Sequence, residues 1–510
     1  MSPVVRIDGR TLGLEDIARV SGDVTETVEL HADARSRMEA SRAFIETKVA
    51  SGEPVYGVTT GFGRLAEVAI APEERTALQH NLVRSHASGM GDPMERASVR
   101  ALMLLRANAL ARGHSGCRVS VVEALLALLN AGIHPHVPEF GSVGASGDLA
   151  PLAHVALGLL GEGEAEKGGE SGPVSVWMEA SGLEALTLSS KEGLALINGT
   201  QATTGIGVLT LLRAEAALET AEVAAAMSLE ALLGTPEAFR AEIQDARPHE
   251  GQRMSAERLR ALLDGSEIRE SHRDDDPRVQ DAYSLRCVPQ VHGAARHALR
   301  YVRGILETEA NSATDNPLVF PDSDIVVSGG NFHAQIVSQA LDLLAIALAD
   351  LAAISERRIE RLLNPDLSMG LPAFLAGRPG LESGFMIAQV TAVDLLSEMR
   401  VLAHPASVDS VTTSANQEDH VSMGLTAARK ASRSVACLER VLSTELMCAA
   451  EGIEYRRPLR AGGGVEIAHE RIRSQVRRLS GDRSLSPDLD LLTRLVQART
   501  FAGITQDIQP

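Results

Sequence analysis

Two stretches of about thirty residues, 203–233 and 333–363, limit what this chain can fold into more than any other feature. Each reads as one uninterrupted helix, roughly 45 Å long at 1.5 Å per residue. The first is Ala-rich and apolar on most faces, with Leu211, Leu212, Leu218, Val223, Leu229 and Leu232. A helix apolar all round must be buried among other helices. The second stops at Asn364-Pro365, because the residue before a proline avoids the helical region. Helices this long imply a bundle, and further ones are expected over 384–403 and 418–450. Past 455 the pattern becomes charged and amphipathic, as in an outer helical layer.

The N-terminal part is shorter-grained. Asp8-Gly9 signals a hairpin turn, followed by a helix that stops at Gly22. Helices are expected over 33–50 (stopped by Gly52), 73–87, 94–112 and 119–130, and a buried one over 149–160. The stretch 55–64 is β-branched, aromatic and Gly-rich, and reads as a loop. Residues 163–190 alternate through Val174, Val176, Leu183, Leu186 and Leu188, which suggests a small outer β-element. The expected fold is mainly α: a long central helical bundle over 201–510 with its outer helices, and a smaller loop-rich N-terminal part over 1–200.

Charge removes some function classes. With 49 Lys+Arg against 67 Asp+Glu, the formal net charge is −18, which disfavours nucleic acid as a partner. The densest acidic run, Asp274-Asp275-Asp276, reads as a solvated turn before Pro277. Cys117, Cys287, Cys437 and Cys448 form no C-x-x-C pair, so neither a disulfide framework nor a zinc site is expected. The N-terminus carries no secretory pattern. The apolar run 340–354 is interrupted by Asp342 and Asp350, so no membrane span or membrane partner is expected. These readings fit a reducing cytoplasm.

The segment 132–148 differs from its surroundings. It holds two prolines, four glycines and no helical period, between apolar helices. A long irregular connection in such a setting is usually functional. Within it, Ala145-Ser146-Gly147 has an unusual capacity. Protein side chains supply acids, bases and nucleophiles but no good electrophile. If the Gly147 nitrogen attacks the Ala145 carbonyl and two waters leave, an imidazolone forms and Ser146 becomes its methylidene. Glycine is required at the attacking position because a Cβ would obstruct the turn. Alone, the tripeptide is equally an ordinary turn.

It does not stand alone. GSVGASGDLAPL over 141–152 resembles the signature of the aromatic amino acid lyases, in which this segment carries a methylidene-imidazolone. The resemblance runs almost end to end and in order, through YGVTTGFG (56–63), LVRSHASG (82–89), INGTQA (197–202), YSLRCVPQ (283–290), NSATDNPL (311–318), SGGNFHA (328–334) and SANQEDHVSMG (414–424). It implies a fumarase/aspartase-like fold and an ammonia-lyase with no external cofactor and no metal. Its electrophile, a 4-methylidene-imidazol-5-one, comes from Ala145-Ser146-Gly147. The resemblance also implies a homotetramer whose active sites are shared between subunits.

By the same resemblance, Tyr56 removes the substrate's β-proton. Tyrosine, with a pKa of about 10, needs a nearby cation or donor for that role. Tyr283 is expected to hydrogen-bond near the electrophile. Arg286, one helical turn on, would fork onto the substrate carboxylate. Asn198 would contact the amino-acid end or the imidazolone, with Gln280 as a neighbour, and Phe332 would pack beside the imidazolone. Asp148 either assists the cyclising loop or caps the helix from Leu149. The pair Ser85-His86 matches the histidine type of the family, where the tyrosine type has His-Leu and the phenylalanine type Phe-Leu. Glu418 also matches the histidine type, and a carboxylate suits an imidazole; the plainer alternative is a salt bridge to an arginine. The implied reaction is loss of ammonia from L-histidine to give urocanate. A tyrosine or phenylalanine lyase, or an aminomutase with the same electrophile, is the alternative. Gln335-Ile336, Val288 and Met399 depart from the family's usual Glu-Pro, Gln and Asn. His134 and His136 have no third ligand at metal spacing and read as packing histidines.

Overall fold

The computed structural model describes residues 4–51, 55–63, 68–274 and 276–507. Gly52, Arg64 and Asp275 therefore lie outside the described residues. The chain is mainly α and divides into two compact units.

The first unit comprises Met1–Leu209, Val302–Asp342 and Pro405–Arg429. Its helices include Ala32–Ser51, Arg75–His86, Arg96–Ala111, Val119–Asn130 and Leu149–Leu159. Arg96–Ala111 is buried along nearly its whole length, including Arg100 and Arg106. Arg100 is accommodated because its guanidinium donates to Val20 O at 2.7 Å and Leu129 O at 3.1 Å, satisfying the donors that burial would otherwise strand. The sheets are small. Val5–Ile7 pairs in parallel with Val28–Leu30, not as a hairpin. The helix Leu14–Gly22 lies between the two strands, while the Asp8 carboxylate closes the local turn by accepting from the Arg10 and Thr11 amides. Over 163–190 the β-element is confined to Glu164–Lys167 and Glu170–Pro173. The alternating run Val174–Ala180 is a helix, with Val174 and Met178 buried one turn apart.

The second unit comprises Thr210–Tyr301, Leu343–His404 and Lys430–Pro510. Its core is drawn from the long helices. Leu211, Leu218, Val223 and Leu229 are buried, as are Leu344, Leu351, Ile359, Val435, Leu442 and Leu446. One ionic network sits in this apolar setting. Arg358 Nη2 donates to Glu445 Oε2 at 2.9 Å, and Ser228 Oγ and Ser355 Oγ donate to the same carboxylate at 2.7 and 2.5 Å. A buried charge is tolerable only when it is paired and its lone pairs are filled.

The helix Gln335–Leu363 is, by length and composition, apolar enough to cross a membrane despite Asp342 and Asp350. Of its apolar window, 61% is buried within the protein, which accounts for the composition. Asp342 accepts from the amides of Ala406 and Ser407 at 3.0 and 2.7 Å.

Candidate active site

A cavity of about 620 Å³ opens in the first unit around Ser146. One wall is a single helical face. Leu78, Asn81, Leu82, Ser85 and His86 follow the i, i+3, i+4, i+7, i+8 spacing on Arg75–His86, which lines up side chains on one side of a helix. Tyr56, Phe62, Val68 and Ile70 come from the loop segments, Leu149 opens the helix Leu149–Leu159, and Leu194 and Ile197 come from Glu192–Ile197. Ser414 and Glu418 complete the lining.

The loop carrying Ser146 is held in an unusual backbone. Gly144, Ser146 and Gly147 have φ of +83°, +53° and +80°. Only glycine adopts that region at little cost, so Ser146 is the strained member. A Cβ on Gly147 would run into the Gly199 carbonyl oxygen, and one on Gly144 would meet the Ser422 hydroxyl. Asp148 N donates to Gly199 O at 2.6 Å, and Met423 N to Val143 O at 2.9 Å, clamping the loop from both sides. Backbone packing leaves no room for a side chain at 147, which is also where a ring closure onto Ala145 would need glycine.

Asp148 is buried, and its side chain does not cap the helix it precedes. It accepts from Thr203 N at 2.8 Å, Thr203 Oγ1 at 2.9 Å and Ser142 Oγ at 3.2 Å. Burial pushes its pKa up to about 6, and those hydrogen bonds oppose the rise. Its bonds therefore tie the start of Gln201–Ala231, through Thr203, to Ser142 in the loop.

Ser146 Oγ donates to Glu418 Oε1 at 3.2 Å, and Glu418 Oε2 accepts from Thr413 Oγ1 at 2.8 Å and Ser414 Oγ at 2.6 Å. The partners of Glu418 are thus hydroxyls, not an arginine. His86 Nδ1 lies 2.8 Å from Leu82 O. A carbonyl only accepts, so Nδ1 donates to it and Nε2 is left for another partner. Tyr56 Oη accepts from Gly63 N at 3.0 Å, with Phe62 edge-on to its ring.

Asn198 is buried beside this loop without lining the cavity. Its Nδ2 donates to Asp315 Oδ1 at 3.2 Å and Asn316 O at 3.0 Å, while its Oδ1 is buried with no partner. Asp315 Oδ2 in turn takes Lys191 Nζ at 2.6 Å, in a pair that is almost wholly buried. Arg106 Nη1 donates to Asn198 O at 3.0 Å. Sequence patterns single out none of Lys191, Asp315 and Arg106, although Asp315 sits inside NSATDNPL. Asn81 also escapes them, and its helical spacing to Ser85-His86 is the signal that could have found it.

The remaining expected residues stand outside the cavity lining. Phe332 is half-buried in the turn before Gln335–Leu363. Gln280, Tyr283 and Arg286 belong to the second unit. Tyr283 is 71% exposed, with the Arg286 guanidinium 4.6 Å from its ring centroid. His134 is structural: Nδ1 meets Glu166 Oε2 and Nε2 meets Arg100 Nη1, both at 3.0 Å. No cluster that could hold a metal occurs among the described residues.

Residues 12–474 match the aromatic amino acid lyase family. The chain belongs to that family. Histidine ammonia-lyase of Myxococcus xanthus is 51% identical over 496 residues, covering 97% of either chain. Among solved structures, histidine ammonia-lyase from Trypanosoma cruzi superposes with a TM-score of 0.93 at 44% identity, over 100% of this chain and 96% of that one. Tyrosine aminomutase from Streptomyces globisporus gives 0.94 at 38% identity, over 99% of each. The family's electrophile is a methylidene-imidazolone formed autocatalytically from the chain.

Proposed function

We propose that this lyase eliminates ammonia from L-histidine to give urocanate, with Ala145-Ser146-Gly147 as the source of its electrophile. The observation that carries the substrate is the pairing of His86 and Glu418 across the cavity around Ser146. His86, through Nε2, and the Glu418 carboxylate present two polar groups to one ring. An imidazole has a nitrogen to pair with each; a phenyl ring can pair with neither. Both residues are half-buried, and a polar group shut in by substrate without a partner costs about 1–3 kcal/mol. The similarity to histidine ammonia-lyases over nearly the whole length supports the same substrate.

The methylidene supplied by Ser146 makes the substrate's nitrogen a leaving group. The chain's own residues do the rest. Tyr56, fixed by Gly63 N and Phe62, takes the β-proton. Glu418 holds the imidazole and stabilises its protonated form, which eases loss of that proton. Asn198, its amide nitrogen held by Asp315 and Asn316 beside the loop, serves the amino-acid end or the imidazolone. Arg286 and Gln280 grip the amino-acid end, and Tyr283 and Phe332 stand against the electrophile.

Tyr283 and Arg286 are supplied by a neighbouring copy in a homotetramer. The exposure of Tyr283 supports this, as does an apolar face on Met386–Leu402, where Ile387, Val390 and Val401 are 65, 57 and 70% exposed. Exposed apolar side chains gathered on one helix in this way fit an association site.

Replacing Ser146 by Ala should lower kcat by more than about 10³-fold with the circular dichroism unchanged, since the electrophile carries the chemistry. His86→Leu should raise KM for L-histidine by roughly tenfold, about 1.4 kcal/mol, through loss of one ring contact. Near wild-type kcat for Ser146→Ala would refute the electrophile; an unchanged KM for His86→Leu would refute the ring contact.

A further inference from the structure

The contact between Ser146 Oγ and Glu418 Oε1 exists only while residue 146 is still a serine. In the finished site that oxygen is gone. The carboxylate is nevertheless aimed at it with care. Thr413 Oγ1 and Ser414 Oγ fix Oε2 from behind, and Thr413 N donates to Glu418 O at 2.9 Å. The segment between them passes through left-handed φ at Ser414, Ala415 and Asn416, of 51°, 52° and 68°. Oε1 is left with one partner, the hydroxyl that maturation must remove. Hydroxide is a poor leaving group, and a group within hydrogen-bond reach is needed to give it a proton.

We propose that Glu418 is the acid–base group that removes water from Ser146 when the loop 145–147 matures, before it ever meets substrate. This rests on the electrophile reading above. In the first step the Gly147 nitrogen bonds to the Ala145 carbonyl carbon. The Ala145 oxygen departs as water with the protons of the Gly147 and Ser146 amides, closing the ring. In the second step the Ser146 Cα–H electron pair forms the Cα=Cβ bond, and the Cβ–Oγ pair leaves with oxygen. The Glu418 carboxylate takes the Cα proton and passes it to that oxygen, so water departs and the carboxylate is restored. One further water is lost, nothing is oxidised or reduced, and Glu418 ends unchanged. The same carboxylate is then free for the substrate ring.

The test is intact-protein mass against time after synthesis for the full chain, for Glu418→Gln and for Glu418→Asp, with Ser146→Ala as a reference. Circular dichroism checks folding in parallel. The wild type should end two waters lighter than its sequence. Glu418→Gln should be folded yet keep the Ser146 hydroxyl, one water lighter at most, with the second loss slowed by about 10²-fold, as for other acid–base groups. Glu418→Asp, which keeps a carboxyl, should reach the two-water deficit more slowly than the wild type. A Glu418→Gln protein that loses both waters at the wild-type rate would overturn the proposal and leave the electrophile reading standing. Glu418→Asp as blocked as Glu418→Gln would also overturn it. If Glu418→Gln does not fold, the Asp variant decides alone. A wild type with no mass deficit would sink the electrophile reading itself.

Discussion

Gly147 has room for a hydrogen and nothing larger. Its φ of +80° already disfavours a side chain, and the Gly199 carbonyl blocks one. Gly147→Ala should therefore reach the soluble state with the full mass of its sequence and no turnover; a mass two waters lighter would mean that the loop is more forgiving than its packing. Asp148 makes a second prediction. Its folded pKa of about 6 lies above the usual 3.8, so the folded protein binds this proton more tightly than the unfolded chain. The stability it lends is complete below pH 4 and is lost as pH rises through 6. Asp148→Asn should flatten that part of a Tm-against-pH curve; an unchanged slope would contradict the shift. Residues of this kind differ in how far sequence exposes them. Ser146, Tyr56, His86 and Glu418 lie in local motifs and were legible. The Lys191–Asp315 pair that orients Asn198 was not, because its members are 124 positions apart and no local pattern joins them. Val288 and Met399, departures from the family pattern, are both buried and serve packing.

Helices were the most legible elements. Gln201–Ala231, Gln335–Leu363 and Met386–Leu402 fall within a few residues of their expected spans, because a 3.6-residue apolar period sustained over many turns fits neither a strand nor a loop. Short elements were less so. The strand Val5–Ile7 finds its partner beyond a helix, not across the Asp8-Gly9 turn. Val174–Ala180 alternates like a strand but coils, since seven residues are too few to separate the two periods. Whether a lone Asp caps or reaches elsewhere also depends on a distant partner, here Thr203. The long helices carry their own prediction. Leu211, fully buried on Gln201–Ala231, should cost about 2–5 kcal/mol when cut to Ala. Helical signal should be lost at lower urea, and an unmoved midpoint would contradict the buried bundle.

At the scale of the molecule, composition and periodicity argued for an acidic, mainly helical chain, but association is not written in one chain's periodicity. The exposed apolar residues on Met386–Leu402 and the exposed Tyr283 ring beside Arg286 give it physical content. If neighbouring copies complete each site, two inactive proteins, Ser146→Ala and Arg286→Ala, should regain part of the activity when refolded together; no recovery in mixed tetramers would refute shared sites. The central claim, an internal electrophile acting on an imidazole-bearing amino acid, is tested most directly by the ultraviolet spectrum of the purified protein over time with L-histidine, and with L-tyrosine and L-phenylalanine in parallel. The account predicts growth of urocanate absorbance with L-histidine alone. Coumarate or cinnamate absorbance instead would contradict the reading of His86 and Glu418, and silence with all three would contradict the lyase activity.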